Sequence, residues 1–254
     1  MRSRFLVFLS LVLLALIASG RIHRALQPGT AGSSGEGAIG SILPGRPVRD
    51  TAAIQAARIR RSIVRERLAA AVQQTYLDSL LLTTDSVLRR WPDALRRPLA
   101  VAIIEGGTAE YRARMRQQAQ DALTEWEHVG IGLQFASALD SASADIVIRW
   151  VAHFPTDRTG QTDLTWDQQG RVRRAIISLA VTDLQGRPLP DAALGAVAVH
   201  EVGHALGLPH SPYPLDVMYP EPRTSRISDR DLRTVTLLYE LPPGTIRDTE
   251  ESAP

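Results

Sequence analysis

Between residues 200 and 220 the chain reads HEVGHALGLPHSPYPLDVMYP, with three histidines and a glutamate inside eleven positions. On a helix, residues four apart stand on one face, about 6 Å apart along the axis. His200 and His204 can therefore aim their imidazoles at one ion, at the ~2.0–2.1 Å usual for a zinc–nitrogen bond. Glu201 lies about 100° further round the helix, so it misses the ion and faces a water bound there. Gly207 explains how the third ligand arrives. A glycine in the left-handed conformation ends the helix, and the turn brings His210 back towards the ion. Leu208 and Pro209 then fix an extended approach.

Three neutral nitrogen ligands leave a fourth position open, which is the pattern of a catalytic zinc and not of a structural one. Zinc lowers the pKa of its bound water to about 7. Glu201 would accept that water's proton during attack on a peptide carbonyl and deliver it to the leaving amine. A lone HExxH is a weak signal. The glycine, the third histidine and Met218 at fixed offsets make this one specific. His23, His128 and His153 stand alone in the sequence and read as ordinary polar residues.

The remaining composition narrows the field. The chain has 254 residues, no cysteine and a net charge of +2. Disulfides, thiolate metal sites and a cysteine nucleophile are excluded, and the small charge does not suggest a nucleic-acid partner. All 29 basic residues are arginine. Seven of them fall between Arg46 and Arg67 against Asp50 and Glu66, which reads as the solvated face of a helix.

The elements that must hold the motif follow from pattern. Residues 1–20 form a signal peptide or N-terminal anchor: Arg2 and Arg4 precede an apolar run over residues 5–20. About 16 residues are short for a bilayer span, which needs about 20, and Ala18-Ser19-Gly20 supplies small residues for cleavage. Export is expected either way, to a secreted or periplasmic location, with a membrane tether if the run is retained. Residues 21–50 are rich in Gly, Ser and Pro and read as a flexible linker.

Residues 51–92 form a helical N-terminal segment. Val64, Leu68, Val72, Tyr76 and Leu80 recur every four positions, with Ile59 and Ile63 expected on the same side. A short second helix is expected at residues 85–90, capped by Thr84. This segment reads as a helix packed on the main domain or as a propeptide blocking the site. The main domain spans residues 98–242. Its patterns predict a strand in LAVAIIEGG, which ends in a glycine pair, a helix capped by Thr108, strands in IGLQFASAL and ADIVIRWVA, and two more strands joined at Gln168-Gln169-Gly170. A helix from about Asp191 carries the motif, and Ser228 with Asp231 resembles a capping box opening the last helix. This order implies an α+β fold, with a twisted mixed sheet and packed helices. Residues 243–254 are expected to be a disordered tail.

HEVGHALGLPH followed by Met218 resembles the metzincin clan of zinc peptidases, and within it the matrixins. Ser211 directly follows the third histidine, and Val217-Met218-Tyr219-Pro220 is close to the family's Leu-Met-Tyr-Pro. ALTEWEHVGIGLQF, SADIVIRW and ISDRDLRTVTLLY also match the family's order of elements. The resemblance implies a sheet of about five strands with helix A, an active-site helix and a C-terminal helix. It implies His200, His204 and His210 as zinc ligands, Glu201 as general base, and Met218 as the floor beneath the metal. Tyr219 lies one position too early to match the tyrosine ligand of some relatives.

The departures are equally specific. The His- and Asp-rich structural-zinc loop and the Gly-rich calcium site have no counterpart between Trp150 and Ala192. One catalytic zinc is therefore expected, with neither structural zinc nor calcium. The propeptide cysteine of animal matrixins is absent, and Glu221-Pro222 replaces residues that shape the family's specificity pocket. The expected function is an exported zinc endopeptidase acting on protein or peptide substrates, bound along an edge strand around residues 161–166. Two alternatives stay open here. One is a zinc-binding interaction module with a decayed active site, and the other a membrane-tethered assembly protein acting through residues 51–90.

Overall fold

The computed structural model describes residues 51–79, 86–93 and 97–247. The expectations for residues 1–50, for Leu80, Thr84 and Asp85, and for residues 248–254 lie outside them. No helix among the described residues is long and apolar enough to cross a membrane.

Helix α1 spans Thr51–Ala70, and its core-facing residues are Val64 and Leu68. Ile59 and Ile63 do not share that side. Each is 53% exposed, because at 100° per residue they lie well round the helix from Leu68. The four-residue period also overruns the helix. Residues 71–74 are turns, and Val72 is exposed, while Tyr76 and Leu77 are fully buried. The short helix expected at residues 85–90 is instead strand β1, Val87–Leu88. It pairs antiparallel with β7, Gly244–Thr245, so partners from the other end of the chain override the local pattern. The ribbon joins chain on either side of the expected limits at 98 and 242.

The main sheet contains β2 (Leu99–Ile103), β3 (Phe135–Ser137), β4 (Ile146–Val151), β5 (Gly160–Trp166) and β6 (Val172–Ala180). Its order is β3-β2-β4-β6-β5. All neighbours are parallel except β5, which runs antiparallel to β6 at the edge. Alternation puts Ile146, Ile148 and Trp150 on the inner face with Ile177 and Leu179, all buried. The hairpin between β5 and β6 turns at Gly170, with φ +74°. Only three residues of IGLQFASAL are strand. Gly130 and Gly132, both with positive φ, turn the chain before Phe135.

Helix α2 spans Ala113–Glu127, with Arg112 as its N-cap and no side-chain cap. Thr108 is not the cap; its hydroxyl bonds Glu110 instead. Helix α3 spans Asp191–Ala205 and packs against α2 on the inner face. Trp126 of α2 reaches across to donate from Nε1 to the Val199 carbonyl at 2.8 Å. Helix α4 spans Asp229–Glu240, and its capping box is complete: Ser228 accepts from Asp231 N while the Asp231 side chain accepts from Ser228 N. Mixed sheet and segregated helices make this an α+β domain.

Candidate metal centre

Helix α3 is buried all round from Ala196 to Gly203, as its near-continuous apolar sequence demands. His200 and His204 face one side, four residues apart. His200 Nδ1 lies 2.7 Å from the Val217 carbonyl oxygen, and His204 Nδ1 lies 2.8 Å from the Leu208 carbonyl oxygen. A carbonyl only accepts, so both Nδ1 atoms carry the proton. Each Nε2 lone pair is left for a ligand.

Gly207, at φ +100°, turns the chain as its position implied, and His210 returns to the pair. One nitrogen from each histidine falls within 4.8 Å of the others. His204 Nε2 and His210 Nε2 are 3.1 Å apart, near the ~3.3–3.4 Å of two nitrogens sharing one tetrahedral zinc. Burial pushes His200 down to about 4. Burial, with His200 and His210 alongside, takes His204 to about 3. Burial also lowers His210. At neutral pH all three are in the uncharged form that binds metal. The donor set, its spacing and its protonation fit zinc. Among the described residues, no other group of three or more His, Asp or Glu side chains brings its ligand atoms together in this way. His128 and His153 are exposed and outside it.

The floor is built from both sides of the chain. Met218 is fully buried under Gly203, the residue before the second ligand. A Cβ on Gly203 would lie 2.3 Å from Met218 Sδ and 2.9 Å from Trp126 Cζ2. The turn holding Met218 is stitched to the third ligand's neighbour: Ser211 N donates to the Met218 carbonyl at 2.8 Å. Ser211 Oγ donates to Asp216 Oδ2 at 2.5 Å, and Ser228 Oγ donates to Asp216 Oδ1 at 2.7 Å.

Glu201 is buried beside the histidines, with its carboxylate against strand β5. Thr162 Oγ1 lies 2.6 Å from Glu201 Oε2 and 3.0 Å from the Glu201 carbonyl oxygen. A Cβ on Gly160 would lie 2.3 Å from Glu201 Oε1, so only glycine lets the strand close on the carboxylate. Burial pushes the Glu201 carboxyl up to about 7, and Asp163 adds to this while Thr162 and Arg158 oppose it. A cleft of about 810 Å³ opens between β5, helix α3 and the chain after Met218, and it contains all four motif residues. Glu221 and Pro222 line it too. Thr162, Gly160, Gly203 and Asp216 carry no local sequence signal; each matters through a partner distant in the chain or across the turn.

Gly207 yields a direct test. A Cβ there would sit 1.9 Å from the Arg89 carbonyl oxygen, and φ +100° is strained for any L side chain. Gly207→Ala should lose at least about 2 kcal/mol, combining left-handed strain with overpacking. Urea denaturation should show the loss, and zinc affinity should fall with it, since this turn places His210.

Comparison with known proteins agrees with the geometry. The matrixin family model matches residues 95–240. Macrophage metalloelastase of Rattus norvegicus is 47% identical over 51 residues, which cover 18% of this chain and 11% of that protein. The match thus spans a small part of the relative's length. The family model, by contrast, takes in more than half of this chain, including every strand of the main sheet and the whole HEVGHALGLPH motif. The chain belongs to the matrixin family.

Proposed function

We propose that this chain is an exported, zinc-dependent endopeptidase that cleaves protein or peptide substrates, with His200, His204 and His210 as ligands and Glu201 as general base. One observation carries the reading: three neutral imidazoles converge beside a buried carboxylate that is not a ligand, in a cleft along an open strand edge. Zinc held there would polarise a peptide carbonyl and acidify a water. The chain's own groups do the rest. Glu201 takes the proton from the attacking water and passes it to the leaving nitrogen. Thr162 and Gly160 fix the carboxylate's position. The N-terminal apolar run supports export, and its retention would tether the enzyme to a membrane.

Strand β5 binds the substrate's backbone. The Ala180 N–H donates to the Thr159 carbonyl, so residues 159, 161 and 163 are bonded to β6 by the antiparallel alternation. The backbone groups of Gly160, Thr162 and Leu164 therefore point out of the sheet, free to pair with an added strand. The reading is tested with the protein lacking residues 1–20, by metal analysis, cleavage of a peptide library, and binding of an extended peptidic hydroxamate. The hydroxamate should slow amide exchange across residues 161–166, most strongly at Thr162 and Leu164. Protection confined to residues 51–79 would show that peptides use a different groove.

A further inference from the structure

Tyr76, Arg89 and Trp91 precede the region that the matrixin model matches, yet they touch the support of each zinc ligand in turn. The first tie runs through Tyr76. Its ring is buried, and its hydroxyl donates to Asp231 Oδ1 at 2.8 Å. Asp231 is wholly buried, and its other oxygen accepts from Val217 N at 2.9 Å. The Val217 carbonyl in turn receives the Nδ1–H of His200. Burial beside Asp231 raises the Tyr76 phenol far above its usual range, so it serves as a neutral donor at any working pH. The second tie is Trp91, buried, whose Nε1–H donates to the Ala205 carbonyl at 2.9 Å. Ala205 is the residue after His204. The third is the Arg89 carbonyl, packed so tightly on Gly207 that no side chain fits between them. Gly207 is the turn that returns His210.

We propose that this N-terminal segment is a built-in brace of the zinc site, with Tyr76 and Trp91 as positioning residues for the ligands. The inference rests on the zinc-peptidase reading above. Among residues 51–79 none lines the cleft, whereas Val87 and Arg89 border it. The segment's own attachment is stiff. Arg90 is buried, with Nε donating to the Leu241 carbonyl at 2.8 Å and both terminal nitrogens on Asp93. Its backbone is bonded to Gly170 and Val172.

The test compares Tyr76→Phe with Leu77→Val in the full chain. The first deletes one O–H and keeps the ring. The second trims a buried neighbour that has no link to Asp231. Tyr76→Phe should weaken zinc binding, measured by chelator competition, by at least about 3-fold. That is below the roughly 10–100-fold expected when a ligand's own outer partner is lost, because Tyr76 acts two hydrogen bonds further out. kcat should fall with KM unchanged, and the Val217 amide should exchange faster in the zinc-free protein. Leu77→Val should lower Tm while leaving zinc affinity, kcat and Val217 exchange at wild-type values.

Equal behaviour of the two variants would overturn the brace, and so would a rise in kcat/KM for Tyr76→Phe, the mark of a restraining segment. If the wild type takes up no zinc, the peptidase reading fails by itself. Val217 exchange in the metal-free protein then still decides whether Tyr76 holds the turn.

Discussion

Replacing Glu201 with glutamine should lower peptide hydrolysis at least about 100-fold while zinc occupancy stays near wild type, since a positioned general base contributes roughly 10²–10⁴-fold. That range corresponds to about 3–5 kcal/mol at 1.36 kcal/mol per decade. Glutamine keeps the side chain's size and can still pair with the Thr162 hydroxyl, 2.6 Å from Glu201 Oε2. It cannot accept the proton. Because Glu201 is not among the three converging ligands, zinc should remain, and Glu201→Ala should behave likewise. Steady-state cleavage and metal content measured on the same samples decide the matter. Cleavage within a few-fold of wild type in both variants would remove Glu201 from the mechanism. A wild type that binds zinc and cleaves nothing would leave the decayed-module reading standing.

The parts of the site that the sequence made legible are those set by local geometry. His200 and His204 share a face because the helix repeat is fixed, and Gly207 turns because glycine takes a positive φ without strain. Ser228 and Asp231 form their capping box within a single turn. The sequence hides what distant residues decide. Asp231 reads as a cap, but its carboxylate also holds Val217 and Tyr76, the latter 155 positions away. Gly203, between two ligands, carries no local signal, yet it is the gap that Met218 fills.

The N-terminal segment shows the same limit from the other side. A four-residue period from Val64 to Leu80 suits one long helix, but the chain leaves that pattern at Ala70. The helix ends at Ala70, and Arg67 pairs there with Glu240 of α4. Tyr76 and Leu77 then enter the core from the turns beyond the helix. Strand β1 could not be foreseen either, since its partner lies at residues 244–245.

The second large effect concerns the metal itself. Purified protein should hold about one zinc, as expected of a single open three-histidine site, and His204→Ala should lose it. His204 is the central ligand. Its Nε2 is 3.1 Å from that of His210, and its ring makes edge contact with His200 at 4.6 Å between centroids. Removing it leaves His200, buried in the helix, and His210, exposed on the returning loop. Two such ligands cannot enclose an ion that normally takes four. The backbone should tolerate the change, because alanine favours helix and the Leu208 carbonyl freed by the lost Nδ1–H sits beside the open cleft, where water can replace the bond. Mass spectrometry under native conditions, with Tm measured in chelator, separates the outcomes. Wild type and variant should differ in Tm with zinc and nearly coincide without it, since a ligand stabilises only the state that binds it. Zinc retained at wild-type affinity by His204→Ala would place the metal elsewhere, and two tightly held zincs in the wild type would reveal a structural site.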